Sequence, residues 1–180
     1  MKEIILGVTG SIAAYKAADI ANQLIKNKII VHTIMTNAAK KFITPLTFQT
    51  LTKNKVYTDI FDNTFYPDVR HISLCQKANC LVIAPATANI IGKIASGIAD
   101  DMLSTVIMAF RNKPIIICPA MNTAMYENPI TQNNIEKLQS LGYLFIEPKE
   151  SLLACGDLGK GALADVEIIT RRIIKNLGDV

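Results

Sequence analysis

The stretch Ile4-Ile5-Leu6-Gly7-Val8-Thr9-Gly10-Ser11-Ile12 points to the class of architecture. A short apolar run over 4–8 ends in glycine, threonine and serine. Helical spacing follows at once, with Ile12, Ala13, Ala17, Ile20, Ala21, Leu24 and Ile25 apolar within 12–26. A strand that is apolar on both faces and feeds a helix belongs to a parallel sheet covered on both sides. The same alternation recurs outward along the chain. Runs at 29–35, 81–84, 115–118 and 143–146 read as further buried strands, and 90–95, 102–110, 130–141 and 166–177 as helices. The expected class is α/β: a Rossmann-like (flavodoxin-like) three-layer sandwich, its parallel sheet covered by helices on both faces, forming a single domain over 1–180. The stretches 54–69 and 147–160 read as irregular, and loops of that length are more often functional than idle.

Composition excludes several classes. Lys+Arg 19 against Asp+Glu 15 gives a net charge of +4, and half of the 180 residues are hydrophobic, which argues against disorder. The basic residues are scattered, so no nucleic-acid partner is expected; a small positive excess suits an anionic ligand. No apolar run reaches about 18 residues, and the N-terminal run breaks at Gly7 without a cleavage pattern, so neither a membrane span nor a leader is expected and the location is cytoplasmic. The cysteines at 75, 80, 118 and 155 form no Cys-x-x-Cys pair, and His32 and His71 lack the spacing of zinc ligands, so no metal is expected. Cys75, Cys80 and Cys118 read as small buried apolar residues.

In an open parallel sheet, ligands bind beyond the carboxyl ends of the strands. Most of the chemically suggestive residues fall at those ends. Gly10-Ser11-Ile12 joins the first strand to the first helix and reads either as a phosphate cradle at a helix start or as a plain turn capped by Ser11. Thr87-Ala88-Asn89 reads as a ligand loop or an ordinary cap. Pro119-Ala120-Met121-Asn122 offers a soft side chain for a flat ring and an amide for a carboxylate, or a cap. His71 is the histidine in a plausible site, whereas His32 lies within a strand. Ala154-Cys155-Gly156-Asp157-Leu158-Gly159-Lys160-Gly161 reads as a loop that folds over a substrate and presents a thiol.

In this order the motifs resemble those of the flavin-containing cysteine decarboxylases. The matching stretches are Gly10-Ser11-Ile12-Ala13-Ala14-Tyr15-Lys16, His71-Ile72-Ser73-Leu74, Ala84-Pro85-Ala86-Thr87-Ala88-Asn89, Gly92-Lys93-Ile94-Ala95 with Gly97-Ile98-Ala99-Asp100-Asp101, Pro119-Ala120-Met121-Asn122, and the loop around Cys155. The resemblance covers nearly the whole chain. It implies FMN as cofactor, a small-molecule substrate, and a homotrimer or dodecamer with sites between subunits. The activity implied is decarboxylation of 4′-phospho-N-pantothenoylcysteine to 4′-phosphopantetheine in coenzyme A biosynthesis, through thioaldehyde and ene-thiolate forms of the substrate. By the same resemblance Gly10, Ser11, Ile12, Thr36, Thr87, Ala88, Asn89, Ile90 and Ala120 meet FMN. His71 is the base, Asn122 holds the substrate carboxylate, and Cys155 donates a proton. Met121, Ala154, Gly156 and Asp157 contact the substrate.

The chain departs from the family at Tyr126 (usually Trp), Ile90 (Thr), Ala162 (Arg) and Asp165 (Glu). Many bacterial relatives are fused to a ligase domain; here the ligase is expected on a separate chain. Two other readings remain: a peptidyl-cysteine decarboxylase, which typically lacks the Ala-Cys-Gly-Asp loop, and a non-catalytic flavin-binding regulatory protein.

Overall fold

β1 (Glu3–Val8) is the centre of a six-stranded sheet with the order β3-β2-β1-β4-β5-β6, in which every pairing is parallel. Its neighbours are β2 (Ile30–Met35) and β4 (Cys80–Ala86); β3 (Val56–Tyr57), β5 (Ile115–Pro119) and β6 (Leu144–Phe145) complete it. In chain order the helices are α1 (Ala14–Lys26), α2 (Pro45–Thr52), α3 (Arg70–Lys77), α4 (Ala88–Ser96), α5 (Met102–Ala109), α6 (Thr123–Glu127), α7 (Pro129–Ser140) and α8 (Val166–Leu177). An antiparallel pair, β7 (Lys149–Leu152) and β8 (Leu158–Ala162), stands apart from the main sheet. This computed structural model describes residues 1–60, 70–152 and 158–178, without the side chains of residues 70, 71, 152 and 158.

Alternation along β1 divides the core in two. Ile4, Leu6 and Val8 pack with α1, α2 and α8 through Leu24, Phe48 and Ile173. Ile5, with Leu81, Ile83 and Ile117, packs with α3, α4, α5 and α7 through Leu74, Ile91, Leu103 and Leu138. The three layers expected of the sequence are present, and all five buried runs are strands. Each fully buried Leu or Ile side chain contributes about 1.5–3 kcal/mol relative to exposure, so the sheet needs no polar face.

The differences lie in short or weakly patterned elements. The first helix begins at Ala14 rather than 12, because Ser11 accepts the Ala14 N–H at 2.9 Å and closes a turn there. α2 buries only Phe48 fully and so carries little periodicity. β3 is a two-residue edge strand inside the stretch expected to be irregular. The 147–160 stretch supplies β7 and most of β8.

Candidate functional site

The strand order reverses direction between β1 and β4, which is where an open α/β sheet leaves a crevice. One polar bridge spans it. The Thr9 hydroxyl donates to the Pro85 carbonyl at 2.6 Å and accepts from the Thr87 N–H at 3.1 Å, so the turns after β1 and β4 are held at a set spacing. Thr9 is 2% exposed, and nothing in the sequence set it apart from its neighbours.

Above that bridge lies a cleft of about 570 Å³, within the usual range for small-molecule sites. Gly10, Ser11, Ile12, Thr87, Ala120, Met121 and Asn122 all line it, so the structure brings together three of the strand-end segments singled out from the sequence. Ser11 is not the cap of α1: its Oγ accepts the Ala13 N–H at 3.3 Å, and Ala13 occupies the N-cap position without a side-chain bond. The turn pushes Ile12 outward, 61% exposed at the mouth of the cleft. Thr87 caps α4 by accepting the Ile90 N–H at 3.5 Å, and Asn122 caps α6 by accepting the Ala124 N–H at 2.9 Å. For both residues, capping and cleft lining coexist.

Other expected residues are not among those that line the described cleft. Ile90 is 1% exposed and packs in the core under α4, so it offers no side chain to the cleft. Thr36 follows β2, and its Oγ1 accepts the Ala39 N–H at 3.2 Å. Ala88 and Asn89 form the first turn of α4, with Asn89 exposed. His71 stands in the first turn of α3 and is described by its backbone alone. Ala154, Cys155, Gly156 and Asp157 lie outside the described residues.

The glycines serve chain packing. A Cβ at Gly7 would lie 2.6 Å from Leu103 Cδ1, and one at Gly10 would lie 2.4 Å from Ala38 Cβ. Their absence of side chain seats α5 and the loop after β2, and Gly10 lines the cleft as well. Likewise β8 lies directly on the 121–123 segment. The Met121 N–H donates to the Gly161 carbonyl at 3.0 Å, and a Cβ at Gly159 would lie 2.4 Å from Thr123 Oγ1. The β7–β8 pair is thus seated against the loop that carries Asn122, and Ser151, Gly161 and Ala162 close one side of the cleft. Ion pairs between Lys149 and Asp165, and between Lys160 and Glu147 at 2.5 Å, tie the pair to its flanks. Tyr126, at the departure from Trp, is 9% exposed beneath it, with the Lys160 ammonium 5.8 Å from its ring centroid.

Tyr15, Lys16 and Met125 also line the cleft, beyond the site residues expected from the sequence. Tyr15 and Met125 are large apolar side chains, 57% and 49% exposed, out of step with the buried faces of their helices. Lys16 is the one formal charge among the described lining residues. A cationic amine, hydroxyls at Ser11 and Thr87, and apolar walls from Ile12, Met121 and Met125 fit a ligand with a flat ring and an anionic group.

The other thiols take no part. Burial pushes the Cys80 thiol up to about 12 and raises Cys118 further, so both stay protonated and inert. Cys75 is part-buried rather than buried, and burial raises its pKa against the pull of Lys113. His32 sits in β2 with Nε2 2.8 Å from Glu3 Oε2, a structural contact at the far end of the strands.

A protein-family model described as Flavoprotein matches residues 1–178. The chain is similar to a probable phosphopantothenoylcysteine decarboxylase of Streptococcus mutans serotype c, 49% identical over 98% of this chain and 99% of that protein. It is 44% identical to the coenzyme A biosynthesis bifunctional protein CoaBC of Bacillus subtilis, over 99% of this chain; the chain spans 44% of that relative's length. Among solved structures, a PPC decarboxylase mutant complexed with pantothenoylaminoethenethiol superposes with a TM-score of 0.87 at 34% identity, over 96% of each chain.

Proposed function

The chain belongs to the flavoprotein family, and we propose that it catalyses the FMN-dependent decarboxylation of 4′-phospho-N-pantothenoylcysteine to 4′-phosphopantetheine in coenzyme A biosynthesis. The observation that carries this reading is the cleft at the β1/β4 switch point. It is apolar at Ile12, Met121 and Met125, it is cationic at Lys16, and Asn122 stands on its wall. Similarity to the Streptococcus mutans protein over almost the whole of both chains supports the substrate.

The donor set fits FMN. Ser11, Thr87 and the turn before α1 would hold its polar edges, with Ile12 and Ala120 against the ring. FMN, when bound, supplies the two-electron oxidation of the substrate's thiol end and the return of those electrons after CO2 has left. A thiocarbonyl β to the carboxylate accepts the electron pair of the breaking C–C bond, which a plain cysteine carboxylate has no group to do. Asn122 orients that carboxylate, and its cap on α6 keeps the residue in register with β5. His71 removes the substrate proton. Cys155 returns a proton to the carbon that lost CO2. The β7–β8 pair, seated on the 121–123 segment, excludes water from the same point.

The active form is a homotrimer, or a dodecamer of twelve chains, in the cytoplasm. Large apolar side chains at the cleft mouth, Ile12 and Tyr15, support a neighbouring subunit there. Among the described residues no helix is long and apolar enough to cross a membrane.

The test is anaerobic incubation of the purified protein with 4′-phospho-N-pantothenoylcysteine, following CO2 and the flavin spectrum. Wild type releases CO2 and yields a saturated thiol. Cys155→Ser releases CO2 but stops with oxidised product and reduced flavin, and His71→Asn releases none. A protein that binds FMN and leaves this substrate untouched refutes the assignment and turns attention to cysteine-ended peptides.

A further inference from the structure

We infer that Lys113, in the loop between α5 and β5, is a positioning residue that sets the placement of His71; the inference rests on the reading of His71 as the base. The ammonium of Lys113 donates to three backbone carbonyls at the end of α3: Cys75 at 2.8 Å, Gln76 at 2.9 Å and Ala78 at 2.7 Å. A lysine has three N–H donors, so this set uses all of them. The last carbonyls of a helix have no partner within it and carry the negative end of its dipole. One cation therefore satisfies the exit of α3 and binds it to the start of β5, since Pro114 accepts from the Leu81 N–H at 3.0 Å in the adjoining ladder.

The other end of the same helix carries His71. α3 has eight residues, and one turn separates His71 from Cys75, a rise of about 6 Å. So short a helix has little rigidity of its own. Leu74, 2% exposed, anchors it to the core, and the Cys75 thiol donates to the Val106 carbonyl at 3.5 Å. An apolar contact such as that of Leu74 resists lifting but tolerates sliding and rotation along the helix axis. Three directed bonds at the exit remove both freedoms. The Phe110 ring, its centroid 5.6 Å from the ammonium, holds Lys113 from the side of α5. A displacement of about 1 Å at a catalytic group can cost on the order of 100-fold in rate. The pin at the C-terminal turn is thus felt at the N-terminal turn.

The experiment compares wild type, Lys113→Met, Lys113→Arg and His71→Asn as FMN-loaded proteins. Methionine keeps the stem and removes the donors; arginine restores donors to the carbonyls. Lys113→Met is expected to lower kcat about 10–100-fold with KM for the substrate within about twofold and FMN retained. Amide exchange is expected to accelerate over residues 71–77 and to stay unchanged in the sheet. Lys113→Arg is expected to recover most of kcat and the slow exchange. Wild-type kcat in Lys113→Met overturns the inference. So does a loss of kcat that comes with FMN release or with faster exchange throughout the chain, because Lys113 then acts only on stability. Full activity in His71→Asn would instead refute the reading of His71, a result distinct from either of these.

Discussion

Gly161 has no room for a side chain, since a Cβ there would fall 2.3 Å from the Met121 carbonyl oxygen. The obstacle is backbone, so it cannot swing aside as a side-chain tip would. Gly161→Ala is therefore expected to lift β8 off the 121–123 segment and cost about 1–3 kcal/mol. The measured result should be a lower thermal midpoint together with a raised KM, because the same contact aligns Asn122. An unchanged KM would show that the seat of β8 does not matter to the substrate. In the sequence Gly159 and Gly161 belong to a loop expected to fold over the substrate; the contacts with Thr123 and Met121 also make them the seat of β8. Ile90 is the complementary case: the family motif places it at the cofactor, and the pitch of α4 buries its side chain in the core.

At the scale of elements, α5 is held by a reciprocal cap. Ser104 N–H donates to Asp101 Oδ1 at 2.8 Å, and the Asp101 N–H donates to Ser104 Oγ at 3.1 Å. Lys93 of α4 reaches both Asp100 at 2.6 Å and Asp101 at 2.9 Å, so the start of α5 is tied to α4. Burial alone would raise the Asp101 pKa, but the bonds from Ser104 and Lys93 outweigh it and hold the group below the usual carboxylate value. A carboxylate whose folded pKa is depressed stabilises the fold above its unfolded pKa, about 3.9. That stability is lost as pH falls through the lower, folded pKa. Asp101→Asn keeps a capping oxygen and removes the charge. It is expected to lower stability by about 0.5–1 kcal/mol at pH 7, with the difference from wild type closing as pH drops below about 4. Denaturation series at both pH values check this; a constant difference would mean that the charge contributes nothing.

For the molecule as a whole, the cleft has an apolar mouth that the described residues leave exposed. Ile12 at 61%, Tyr15 at 57% and Met125 at 49% exposure flank it. We expect light scattering of the FMN-loaded protein to give a mass that is a multiple of three chains, and Ile12→Glu to weaken both assembly and FMN retention. A monomer that binds FMN and turns over substrate would refute the expected assembly. Thr9 acts at this scale too, since its two bonds join the turns after β1 and β4 across residues 76 and 78 positions apart in sequence.

The class of fold is legible in the amino-acid order alone, because continuous apolar runs separated by helical spacing admit one economical burial, a sheet covered on both faces. That order also determined which strand ends carry polar chemistry, and the structure gathers Gly10, Ser11, Ile12, Thr87, Ala120, Met121 and Asn122 into one cleft. Periodicity could not reveal α2, α3, β3 or the β7–β8 pair, whose patterns are too short or too polar to register. Nor could it show the roles of Thr9, Lys16 and Lys113. Tertiary structure decided those, because a hydroxyl that bridges two turns, the charge in a cleft and an ammonium that caps a distant helix are defined only by partners far away in the chain.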